Sequence, residues 1–141
     1  MMVDAISLSQ FAVVSTIVVG LKVLVPRVYK EIRAKRRLSQ YLAMISNEGA
    51  RARCDDRGLK LLDYQLGLLF SSGYGLCNVE DIYLKNKNGD LSLELIQLFA
   101  RALAKLPQED RRVIEQTLRG ATEDRRVAYL REAFGPVMSG R

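Results

Sequence analysis

Histidine is absent from all 141 residues. Its absence removes the side chain that titrates nearest neutral pH, the base of Ser–His and Cys–His nucleophile pairs, and the usual nitrogen ligand of zinc. The remaining groups with nucleophilic or ligating chemistry are two cysteines, the carboxylates and the hydroxyls. Cys54 stands beside Arg53 and near Arg57, which would lower its pKa, but Asp55 and Asp56 oppose them, so an activated thiol is not favoured. Cys54 and Cys77 both lie on the side that the charge pattern assigns to a reducing compartment, and two free thiols are expected. Gly73 and Gly75 hint at a phosphate loop, yet the Gly-Lys-Ser/Thr ending and the preceding strand are missing, so the segment reads as a turn. Leu84–Leu95 echoes a calcium-binding loop through Asn86, Asn88, Gly89, Leu91 and Ser92. Leu84 and Leu95 occupy the places of the first Asp and the bidentate Glu, so the ligand set fails where it matters most. Asp, Glu, Lys and Tyr are all present, but no pair converges at a useful spacing. No catalytic residue, metal ligand or cofactor is assigned. The expected chemistry is binding, and the chain is not expected to be an enzyme.

What positions any binding surface is, first, an apolar run from Ile6 to Val25, closed by Pro26 and interrupted by one charge, Lys22. At ~1.5 Å per residue it would span ~30 Å, the hydrocarbon thickness of a bilayer. A cleaved signal peptide would begin with positive charge and end at small residues; Met1-Met2-Val3-Asp4 and Val25-Pro26-Arg27 do neither. A buried core helix would carry a polar stripe, which this run lacks. An uncleaved transmembrane anchor fits best, with Ser9, Ser15 and Thr16 bonding back to their own helix and Lys22 reaching the headgroups. Ala12, Thr16 and Gly20 recur every four residues and would form a small-residue face for close helix packing, including self-association.

The net charge of +6 has one source. Lys22, Arg27, Lys30, Arg33, Lys35, Arg36 and Arg37 are offset only by Glu31, while residues 38–141 are nearly balanced. This collar orients the anchor with its amino-terminal end outside and residues 27–141 in the cytoplasm, or on the matrix or stroma side of an organelle. Residues Arg27–Ser46 read as helix, with Val28, Ile32, Leu38, Leu42 and Ile45 at roughly helical spacing. Lys30, Arg33 and Arg37 share a face while Lys35 and Arg36 point elsewhere. Such a girdle suits anionic headgroups better than a nucleic-acid groove, and nucleic acid is not an expected partner.

Ser46–Gly49 reads as a turn or cap, and the polar stretch Arg51–Gly58 as a hinge to a distal domain. Leu59, Leu62, Leu66 and Leu69 predict a core helix to about Ser71. A short helix from Val79 to about Asn86 is capped by Asn78. The spacing then predicts a helix over Leu91–Leu106, apolar except for a line through Glu94, Gln97, Arg101 and Lys105, which belongs in the middle of a bundle. Glu109-Asp110-Arg111-Arg112-Val113 recurs as Glu123-Asp124-Arg125-Arg126-Val127, each copy placing acids in a helix's first turn. Pro107 and Thr122 start these helices, and Gly120 and Gly135 fall where C-caps are expected. Arg111, Arg112, Arg125 and Arg126 are candidate docking residues for an acidic partner.

The expected fold is all-α: a transmembrane anchor over residues 1–26, a basic juxtamembrane helix over 27–47, and a small helical domain over 48–141. The expected function is that of a single-pass membrane-anchored structural or adaptor subunit, acting by binding lipids and other protein subunits within a larger assembly. The alternative is a membrane-active effector of the lysis or pore-forming type, oligomerising through its transmembrane helix.

Overall fold

In the computed structural model of the chain, which describes residues 26–76 and 93–139, residues 26–45 are helical and form α1. Ala34, Leu38 and Leu42 follow at four-residue spacing and form one inward face, fully buried. Tyr41 and Ile45 pack against the same core. The basic helix therefore contributes its own layer to the bundle's single hydrophobic core.

The stretch Arg51–Gly58, predicted as a hinge, is instead the end of one short helix, a side-chain cap and the first turn of the next. Asn47 Oδ1 accepts from Ala50 N at 2.8 Å and starts α2 (Glu48–Arg53). Asp55 Oδ1 accepts from Gly58 N at 2.8 Å and starts α3 (Asp56–Ser71). Ala50 and Cys54, both buried, hold this corner to the core. A methyl at Gly58 would meet the Arg53 carbonyl oxygen and lie 2.9 Å from Leu95 Cδ1, so only glycine permits this approach.

α3 buries Leu59, Leu62, Leu66 and Leu69, the predicted stripe, and ends at Ser72 before a turn through Gly73 (φ +81°). α4 (Leu93–Lys105) is the predicted central helix, burying Leu95, Ile96, Leu98, Phe99, Ala102 and Leu103. Pro107 separates it from α5 (Gln108–Arg119), which Gly120 closes. Thr122 caps α6 (Glu123–Ala133), its hydroxyl accepting from Arg125 N at 3.4 Å. Gly135, expected as a C-cap, instead begins α7 (Gly135–Ser139). Phe134 takes the cap position because its ring is needed inside, 6.2 Å from that of Phe99.

Among the described residues every regular element is a helix, and there is no strand. Among them no helix is long and apolar enough to cross a membrane. The run Ile6–Val25 with Ala12, Thr16, Gly20 and Lys22, together with Cys77, the helix expected over Val79–Asn86 and most of the calcium-like stretch, lies outside the described residues.

Candidate functional site

The basic residues of α1 divide into those that hold the helix and those that face away. Toward α5, Arg37 Nη1 donates to Asp110 Oδ2 at 2.8 Å, and Lys30 Nζ lies 3.3 Å from Glu109 Oε1. Asp110 is buried, and its hydrogen bond and charge raise the Arg37 pKa above its ordinary value. On the opposite flank Lys35 pairs with Glu132 and sits 5.6 Å from the centre of the Tyr129 ring. Burial, then the charges of Glu31 and Glu132, push the Tyr129 phenol well above its usual range. α1 is thus seated between α5 and α6, paired on both sides. Arg27 is left with an exposed contact of 4.0 Å to Glu31, a separation at which an ion pair contributes little. Arg33 stacks 5.5 Å over Tyr29. Arg36 is exposed and makes no ion pair among the described residues.

The repeated pentapeptide is not a structural repeat. In its first copy the acid turns inward, Asp110 to Arg37. In its second copy the base does: Arg126 Nε donates to Asp63 Oδ1 at 2.7 Å, Nη2 reaches Oδ2 at 3.4 Å, and Nη1 donates to the Ala121 carbonyl at 3.0 Å. Arg126, a docking candidate by sequence, is therefore committed to the interior, because Asp63 is buried within the apolar stripe of α3 and needs a cation. Arg125 is exposed. Arg111 and Arg112 line a cavity of about 380 Å³ together with Leu103 and Leu76, whose N–H donates to Glu115 Oε1 at 2.6 Å.

Two residues escaped the sequence reading. Asp63 is one, although a lone acid in a leucine stripe is itself the signal of a buried partner. Arg119 carried no signal at all; it donates to the Tyr74 carbonyl at 2.9 Å and lies 5.0 Å over the Phe70 ring. The thiol question is clearer. Cys54 is buried, and desolvation followed by the Asp55 charge pushes its pKa up to about 12, which makes it inert at neutral pH. Among the described residues no three His, Cys, Asp or Glu side chains gather as metal ligands would.

The exposed surface has two further features. Val28, Tyr29, Ile32, Met44, Tyr64, Leu68 and Tyr74 are large apolar side chains left open to solvent. An open groove of about 690 Å³ runs along α1 past Ile32, Arg36, Met44 and Pro136, and a cleft of about 390 Å³ lies between Pro26, Arg27 and Lys30 of α1 and Arg112 and Gln116 of α5. No protein-family model, curated protein or solved structure significantly matches this chain.

Proposed function

We propose that this chain is a single-pass membrane-anchored adaptor, in which the apolar run Ile6–Val25 crosses the bilayer and residues 26–141 present a helical bundle on its cytoplasmic side (or the matrix or stroma side). The observation that supports this reading is that α1 is helical from residue 26, the first described residue after the apolar run, and by Ala34 is already inside the bundle's core. Its ion pairs to α5 and α6 fix it on both flanks. A bundle joined this way takes its position and orientation from the membrane segment, which is what a subunit needs to hold partners in register at a surface. The bases that α1 does not use internally, Arg27, Arg33 and Arg36, supply the positive flank that keeps this side cytoplasmic. Arg111, Arg112 and Arg125 remain the candidate contacts for an acidic partner subunit.

The test is purification of the membrane fraction in mild detergent with identification of co-purifying chains, together with protease treatment of intact cells carrying a carboxy-terminal tag. Stable co-purification and a protected tag are expected. A carbonate-extractable chain refutes the anchor, a lone monomer refutes the adaptor role, and collapse of the membrane potential on expression favours the pore-forming alternative through Ala12, Thr16 and Gly20.

A further inference from the structure

The ion pairs between helices act as rungs that fix which ends of the helices lie level. α5 runs antiparallel to α1: Asp110 meets Arg37, while the cleft brings Gln116 and Thr117 beside Pro26 and Arg27. α6 runs parallel to α1, since the Glu31 charge acts on Tyr129 and Lys35 pairs with Glu132. α3 runs antiparallel to α6: Asp56 meets Arg131 at 3.2 Å, Asp63 meets Arg126, and Leu68 shares a pocket with Glu123. Arg119, at the end of α5, reaches Tyr74 beyond the end of α3. The start of α1 and the end of α3 therefore lie at the same end of the bundle.

Six of the exposed large apolar side chains collect there: Val28, Tyr29 and Ile32 from α1, Tyr64 and Leu68 from α3, and Tyr74 from the turn after it. Met44, at the last turn of α1, is at the opposite end. Tyr29 stands about 4–5 Å and Ile32 about 9 Å along α1 from Pro26, close to the depth of a headgroup layer, ~5–8 Å. Tyrosine is a residue that membranes accept at this depth, its ring toward the acyl chains and its hydroxyl toward water.

We infer that this end of the bundle, carrying Val28, Tyr29, Ile32, Tyr64, Leu68 and Tyr74, is seated in the headgroup layer of the membrane, so that the domain lies on the lipid surface as well as being tethered to it. The inference rests on the membrane-anchor reading, which supplies the lipid within reach. At this end Arg27 and Lys30 stand with Glu31 and Glu109, and Glu123 and Asp124 open α6, while Arg33 and Arg119 rest on the Tyr29 and Phe70 rings. The apolar and tyrosine side chains carry the contact, which therefore forms on neutral lipid as well.

The chain has no tryptophan, so single reporters can be placed without background. Full-length Leu68→Trp, Tyr74→Trp and Met44→Trp are reconstituted in phosphatidylcholine vesicles brominated near the headgroup, and again with phosphatidylglycerol added. Far-UV circular dichroism matching the parent establishes the fold of each variant, and the pair at 68 and 74 guards against one failing. Expected is a blue-shifted emission that bromine quenches for Leu68→Trp and Tyr74→Trp in both lipid mixtures, with Met44→Trp unquenched. Flotation of the chain with unquenched emission from 68 and 74 overturns the inference while leaving the anchor intact; failure to float overturns the anchor itself. Quenching only with phosphatidylglycerol, or equal quenching at 44, overturns it too. A blue shift that bromine does not quench and that grows with the protein-to-lipid ratio would place a second copy on this face instead.

Discussion

Replacing Arg126 by Met should cost this fold more than replacing Asp63 by Leu, although both remove the same pair. The Asp63 side chain is 3% exposed and that of Arg126 18%. Leucine has nearly the shape of aspartate and methionine keeps most of the arginine stem, so each variant removes charge with little change in packing. Arg126→Met leaves a carboxylate with almost no access to water, for which about 3–4 kcal/mol is expected from the cost of breaking buried pairs. Asp63→Leu leaves a guanidinium that retains its bond to the Ala121 carbonyl and some solvent, for which about 2 kcal/mol is reasonable. The double variant removes both charges and should fall within about 1 kcal/mol of the parent, because an apolar pair of similar volume often replaces a buried ion pair without loss. Urea unfolding of residues 26–141, followed by far-UV circular dichroism, reads these differences. With an m of about 1.5 kcal/mol/M, the midpoint drops by about 2 M for Arg126→Met and by a little over 1 M for Asp63→Leu. Near-equal, sub-kcal losses for both single variants, or additive losses in the double, would refute the reasoning that Asp63 is an interior charge held by Arg126.

Leu38→Ala removes a fully buried side chain of α1 and should cost about 3 kcal/mol in the same unfolding assay, in one cooperative transition; a separate early transition would show that α1 is not part of the core. Gly58→Ala gains about 1 kcal/mol of helix propensity but puts its methyl against Arg53 and Leu95, so a net loss of about 2 kcal/mol is expected by thermal denaturation. In a Cys77→Ser background, Cys54 should resist alkylation at pH 8 until the chain is unfolded by urea, because burial holds its pKa at about 12. That pKa lies above the unfolded value, so the stability it represents is intact below about pH 9 and is lost as pH rises toward 12; Cys54→Ala should flatten this alkaline decline.

Much of the helical frame was legible because it rests on period and caps. The leucines of α3, the nearly all-apolar α4, Pro107 between α4 and α5, and Thr122 ahead of α6 are local signals, and local signals survive folding. The polar run after Asn47 misled because charged residues dominate it, while the determinants of its structure are two short-range caps and two small buried residues, Ala50 and Cys54. The partners of the charged residues were not legible. Arg37 with Asp110 and Arg126 with Asp63 are more than sixty residues apart in the chain, and nothing in either neighbourhood says which charge of Glu-Asp-Arg-Arg-Val turns inward. The collection of exposed aromatics at one end was hidden for the same reason. Tyr29, Tyr64 and Tyr74 share a location only after the helices are laid side by side.

The seating of α1 between two neighbours has a mechanical consequence. A helix gripped by Arg37 and Lys30 on one side, by Lys35 on the other, and keyed inward by Ala34, Leu38 and Leu42 cannot turn about its own axis without carrying the bundle along. Torque applied to any segment continuous with residue 26 is therefore delivered to all the helices together, and so is a piston-like push. The azimuth of whatever precedes residue 26 would then be carried through to the side of the bundle that a neighbouring protein meets.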